Sequence, residues 1–148
     1  MSYLSREDFY SIISKDDLDA ALDGEQADLD AVIAIACDEV VSWLRQRYRI
    51  SSEMRKAATE RNRYIMMITM DCALYHLFSS IPGRLSDEDV RAVRYRNAVK
   101  WLREAAEGTV AAGIPTLSDP FGADDPEGNP DSYKRVLFCS EKKMINDY

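Results

Sequence analysis

The stretch QADLDAVIAIACDEVVSWLRQRY, residues 26–48, decides the fold. Leu29, Val32, Ile33, Ala36, Val40, Trp43 and Leu44 recur at spacings of three and four, the period that gathers side chains on one face of an α-helix. Asp28, Asp30, Asp38 and Glu39 occupy the alternate positions. Acidic residues stand where the exposed N–H groups of a helix start favour negative charge. Arg45, Arg47 and Arg49 stand where its carbonyl end favours positive charge. The spacing predicts a helix over 26–48.

Working towards the N-terminus, Asp23-Gly24 is a turn signal. A short helical turn is predicted over Asp16–Leu22. Ser5 followed by Asp8 resembles a capping box, and Phe9, Ile12 and Ile13 form a stripe that predicts a helix over 5–14. Towards the C-terminus, Ser52 is placed to cap a third helix with core positions Ala57, Ala58, Ile65, Ile68, Thr69, Cys72, Ala73, Tyr75 and Leu77. Met66, Met67 and Met70 widen its apolar face, which predicts a central helix, and Pro82-Gly83 stops it. Ser86 and Asp89 open a fourth helix with a predicted buried face of Val90, Val93, Asn97, Ala98, Trp101, Leu102 and Ala105, ended by Gly108. The expectation is an all-α antiparallel bundle of three long helices plus a short N-terminal helix. Residues 1–108 would form this helical domain. Residues 109–148 would be a Pro/Gly/Asp-rich loop and an extended or disordered tail, because no period survives among its prolines and glycines. Tyr133–Ser140 reads as a strand without a partner, either a plain tail or an edge added to another subunit.

Charge is distributed by segment. Residues 1–44 hold 11 acidic and 2 basic residues, 45–103 hold 6 and 13, and 104–148 hold 9 and 4, within an overall net charge of −7. An acidic head and a basic middle favour contact between copies of the chain or with a charged partner. The predicted contact residues are Arg45, Arg47, Tyr48, Arg49, Arg91, Arg94, Tyr95 and Arg96 on the basic side. On the acidic side they are Asp16, Asp17, Asp28 and Asp30. Arginine and tyrosine suit interfaces because each combines contact area with directed hydrogen bonds. The bland alternative is pairing of these arginines with the chain's own aspartates, worth ~0–1 kcal/mol per exposed pair. A nucleic-acid-binding or regulatory protein using the same arginines is a further alternative, opposed by the overall acidity.

Chemistry-bearing constellations are scarce. The one histidine, His76, lies four residues after Cys72 and close to Asp71, too few ligands for zinc. Asp71 is placed to bond Tyr75 or an arginine of a neighbouring helix. Asp124-Asp125, Glu127 and Asn129 lack the spacing of a calcium loop, and the scattered glycines form no phosphate loop. The expectation is no enzyme, no cofactor, no metal and no small-molecule substrate. Cys37, Cys72 and Cys139 are far apart, with the first two on apolar faces, which predicts buried thiols rather than disulfides. The N-terminus has no basic start or apolar run, and Tyr64–Leu77 is too short for a bilayer, so no membrane is expected.

The same residues carry a resemblance. Met1-Ser2-Tyr3-Leu4-Ser5-Arg6-Glu7-Asp8-Phe9 resembles the opening of the phage Mu-like gp36 family, a domain of unknown function (DUF1320). Val41-Ser42-Trp43-Leu44-Arg45-Gln46-Arg47-Tyr48 is similar to its helix-ending pattern, and Asp71-Cys72-Ala73-Leu74-Tyr75 to another of its segments. Val93-Arg94-Tyr95-Arg96-Asn97-Ala98-Val99-Lys100-Trp101-Leu102, followed by Ala105 to Gly108, resembles a third. The likeness runs in order from residue 1 to about 117 and fades at the C-terminus. There Lys143 and Ile145 stand where the family has an arginine and an aromatic. The resemblance implies a virion assembly protein without catalysis, found in a tailed phage particle or in a host cytoplasm as a prophage product. By likeness of helical layout to head–tail connectors, it implies a ring of copies on the phage portal, contacts with tail-completion proteins, and DNA passing through the ring.

Overall fold

In the computed structural model, residues 2–22 and 26–118 are described, with the side chains of 26–28 outside that description. Six helices follow in order: α1 (Arg6–Phe9), α2 (Lys15–Leu22), α3 (Gln26–Leu44), α4 (Ile50–Glu53), α5 (Arg63–Ser79) and α6 (Val90–Glu107). The three long ones pack on one another, and α2 leans on α3. Contacts fix the directions. Tyr64 meets Trp101, Asp71 meets Arg94 and Phe78 meets Arg91, so α5 and α6 run antiparallel. Glu39 meets Tyr95, and Tyr48 beyond α3 meets Val110 beyond α6, so α3 and α6 run parallel. The fold is all-α, as its periodicities imply. The packed unit runs to Ile114, and a second unit begins at Pro115. Ala112 and Ile114 are buried, so the chain beyond Gly108 still contributes to the core.

The core is the set of stripes read from sequence, with four corrections. First, α3 stops at Leu44 rather than residue 48, so Arg45, Arg47 and Arg49 follow the helix instead of forming its last turn. Tyr48 and Ile50, beyond the helix end, are both buried. Second, the predicted third helix is broken. Ser52 lies inside α4, and α5 starts at Arg63, capped by Asn62, whose Oδ1 accepts from the N–H groups of Tyr64 at 3.0 Å and Ile65 at 3.2 Å. Ala57 and Ala58 consequently lie exposed in the connection.

Third, α6 is capped by Asp89, which accepts from Arg91 N–H at 2.8 Å, and not by Ser86. Its buried face is Ala92, Ala98, Leu102 and Ala105, whereas Val90 is 71% exposed and Val93 and Asn97 also face outward. Fourth, the helix predicted over 5–14 is the single turn α1. Asp8 accepts from the backbone N–H of Ser5 at 2.7 Å and from its hydroxyl at 3.0 Å, and the capping box read from sequence is present. Ser14, unforeseen as a cap, accepts from Asp17 N–H at 3.2 Å and starts α2. Asp23-Gly24, the 119–148 segment with its strand reading at Tyr133–Ser140, the Asp124–Asn129 cluster and Cys139 lie outside the described residues.

Gly108 ends α6 in a left-handed conformation, φ +84°, which an L side chain adopts only at a cost. A Cβ there would come within 2.4 Å of the Arg47 guanidinium, so Arg47 lies across the end of α6. Gly108→Ala is expected to destabilise the fold by about 1–2 kcal/mol, mostly from φ, since Arg47 is long enough to move aside. Chemical denaturation of the two proteins measures it; an unchanged midpoint would contradict the cap.

Candidate functional site

The predicted contact residues divide into those turned inward and those left on the surface. Tyr48 is buried and donates to the Val110 carbonyl at 3.3 Å, tying the turn after α3 to the chain after α6. Tyr95 donates to Glu39 Oε1 at 2.8 Å and stacks flat on Tyr75, ring centres 3.9 Å apart. Arg94 Nε lies 2.8 Å from Asp71 Oδ1 across the α5–α6 seam. Arg91 sits 4.1 Å over the Phe78 ring, with Asp89 at 3.7 Å. These four serve the bundle itself. Arg45, Arg47 and Arg96 are exposed, Arg96 donating to the Asp87 carbonyl at 2.9 Å, and Arg49 is half-buried. Asp16, Asp17 and Asp30 are exposed on α2 and α3, and Asp28 falls among the side chains not described. Two of the predicted arginines, Arg94 and Arg91, thus pair with Asp71 and Asp89. Within the acidic head, Asp19 takes Arg6.

Two polar clusters escaped the sequence reading. Glu39 is the meeting point of all three long helices: one carboxylate oxygen accepts Tyr95, and the other lies 2.7 Å from His76 Nε2. The second cluster centres on Glu53, 2% exposed. Its Oε1 accepts from the Tyr3 hydroxyl at 3.1 Å and from Asn62 N–H, while Oε2 pairs with Lys56 at 2.6 Å. Beside it, Arg61 forks onto Asp8 at 2.9 and 3.0 Å and also reaches the Tyr3 carbonyl. The partners in this cluster lie as much as 53 residues apart, and a local pattern carries no such pairing.

Proton affinities follow these surroundings. Burial pushes the Tyr3 and Tyr95 phenols up, and the carboxylates they donate to push the same way, so both remain neutral donors. Burial also raises the Cys72 thiol strongly and Cys37 to about 11, so neither is an activated nucleophile. For Asp8, burial raises the pKa, but hydrogen bonds from Arg61 and Ser5 outweigh it and hold the carboxyl below its usual value. For Asp71, burial wins over Arg94 and the pKa is raised.

The two carboxyls therefore act oppositely on stability. Asp8 contributes stability that is present above the unfolded carboxyl pKa and lost as pH falls through its folded value. Asp71 takes up its proton more readily when folded, so its contribution to folding improves as pH falls. Asp8→Asn is expected to flatten the acid limb of melting temperature against pH, and Asp71→Asn to steepen it. Thermal melts from neutral pH to about pH 2 check this; two parallel curves would contradict the assignment.

No group of three or more His, Cys, Asp and Glu side chains among the described residues is placed to hold a metal ion. The hollow of about 310 Å³ beside Asp71 and Arg94 offers a carboxylate and a guanidinium already closed on each other. Among the described residues no helix is long and apolar enough to cross a membrane.

The chain belongs to the Bacteriophage Mu, Gp36 family, a phage structural-protein family whose model matches residues 3–127. No curated protein and no solved structure matches it.

Proposed function

We propose that the protein is a head–tail connector subunit that assembles with copies of itself, as a ring, on the portal of a tailed phage. The observation that carries this reading is the separation of exposed charge on a bundle of this family. Asp16, Asp17, Asp30 and Asp38 lie outward on α2 and α3, and Arg96, Lys100 and Arg103 lie outward on α6. Separate faces of opposite sign suit a heterologous contact, which closes into a ring when its rotation permits. Tail-completion proteins would take the ring's other end, and DNA would pass through its centre. The contact surface differs from the one read in sequence, because Arg91, Arg94, Tyr48 and Tyr95 are engaged within the bundle.

Sedimentation velocity of the full chain mixed with its cognate portal tests the reading. Co-sedimentation that weakens with salt is expected, since exposed charge is screened within about 10 Å at ~0.1 M salt. Two independent boundaries at every salt concentration would contradict it.

A further inference from the structure

The outward faces of α3 and α6 differ in chemistry as well as position. On α3 the buried residues Leu29, Ile33, Ala36, Val40 and Leu44 leave an opposite stripe of Ala31, Ala34, Ile35 and Asp38. Ile35 is 54% exposed, an apolar side chain at the centre of that stripe, and Asp30 flanks it. On α6 the buried Ala92, Ala98, Leu102 and Ala105 leave Val93, Arg96, Lys100 and Arg103, spaced three, four and three, on the outer face. Its exposed valine stands at one end and three cations follow it. Lys100 pairs with Glu104 at 3.9 Å, an exposed i,i+4 pair that is worth little.

We infer that the α3 outer stripe of one copy receives the α6 outer stripe of the next, with Ile35 against the neighbour's α6 face and Asp38 against its cations. This rests on the self-assembly reading above and names its surface. Charge complementarity selects a second copy as the occupant: the acidic stripe finds its cations, and the cationic stripe its acid, on the same chain. The two alanines keep the α3 surface low enough for helix axes to approach at the ordinary packing distance of about 8–10 Å. Because the two stripes are different surfaces, each copy keeps one of each open after pairing, so the contact propagates.

Cysteine cross-linking tests the geometry with the full chain. Ile35→Cys and Val93→Cys, combined in one protein and oxidised, are expected to yield a ladder of covalent multimers beyond the dimer. Either substitution alone is expected to give no more cross-linked product than the wild-type chain with its native cysteines. Raising salt from about 50 to about 500 mM is expected to reduce the ladder about tenfold. Both sites are exposed, so melting temperature stays near wild type and confirms folded protein. Disulfide dimer from either single variant above the wild-type level would show a face meeting itself and would overturn the inference. If the double variant gives no ladder while the wild-type chain still co-sediments with portal, the contact lies elsewhere and only the surface assignment fails. If neither occurs, the self-assembly reading fails with it. Should reversal of Arg96, Lys100 and Arg103 to glutamate leave the ladder intact and abolish retention on duplex DNA, the α6 stripe serves nucleic acid instead and the inference is overturned.

Discussion

Glu53→Ala is expected to cost about 3–5 kcal/mol of folding stability, among the largest losses any single substitution would cause here. The carboxylate is buried and holds the Tyr3 hydroxyl, the Asn62 N–H and Lys56 together. Its removal leaves a buried phenol without an acceptor and an orphaned backbone donor next to the residue that caps α5. Lys56 is partly exposed and regains water, so it adds little to the loss. Asn62 is the link that spreads the damage, because its own side chain holds the first turn of α5. Glu53→Gln keeps one acceptor oxygen and should lose roughly half as much. Urea denaturation of the three proteins orders them; a Gln variant as unstable as the Ala variant would mean that the charge, not the hydrogen bonds, carries the effect.

Leu102→Ala should cost a comparable amount, about 2–5 kcal/mol, by a different mechanism. Leu102 is fully buried on α6 between alanines at positions 98 and 105, which bring the helix close to its neighbours and leave little freedom to collapse into a void. The loss corresponds to a fall of several degrees to more than ten in melting temperature. Arg103→Glu, one residue on and pointing outward, provides the contrast. It should leave melting within about a degree of wild type, because an isolated surface substitution shifts stability by roughly 0.5 kcal/mol or less. Its effect should appear in assembly. If Arg103→Glu melts as early as Leu102→Ala, the division drawn between inner scaffold and outer contact surface is wrong.

Periodicity made the helices legible, and its failures have physical causes. The stripe of Leu29, Ile33, Ala36, Val40 and Leu44 is buried as spaced, because burial of one face is what the spacing encodes. Its end was misplaced, because Arg45-Gln46-Arg47 is as good a helix sequence as a turn sequence. Ala57 and Ala58 read as core because alanine suits a helix anywhere; the tertiary bond from Glu53 to Asn62 N–H breaks the helix there. On α6, Val90 and Val93 read as core by hydrophobicity, yet the small Ala92 takes the buried side together with Ala98, which the spacing places there correctly.

The candidate surface was legible as charge and not as residues. Segment counts separate acid from base without revealing which arginines are consumed internally. Arg94 and Arg96 are adjacent alternates in sequence, and the helical turn sends one to Asp71 and the other outward. The cluster around Glu39 carried no local signal, since Tyr95 and His76 come from other helices, and the bond from Tyr3 to Glu53 spans 50 residues. Family patterns reached further: Asp71 and Tyr95 sit in segments that resemble the family's, and both prove to be seam residues holding α5 to α6 and α6 to α3.

The central claim is that this bundle builds a ring on a portal through its outer charged faces. Electron microscopy of the portal incubated with the wild-type chain, and in parallel with an Arg96→Glu, Arg103→Glu double variant, tests it most directly. The account predicts an added annular layer with the wild-type chain, and none with the double variant despite an unchanged melting temperature. A bare portal with the wild-type chain at saturating concentration, or an equal layer with both proteins, would contradict it.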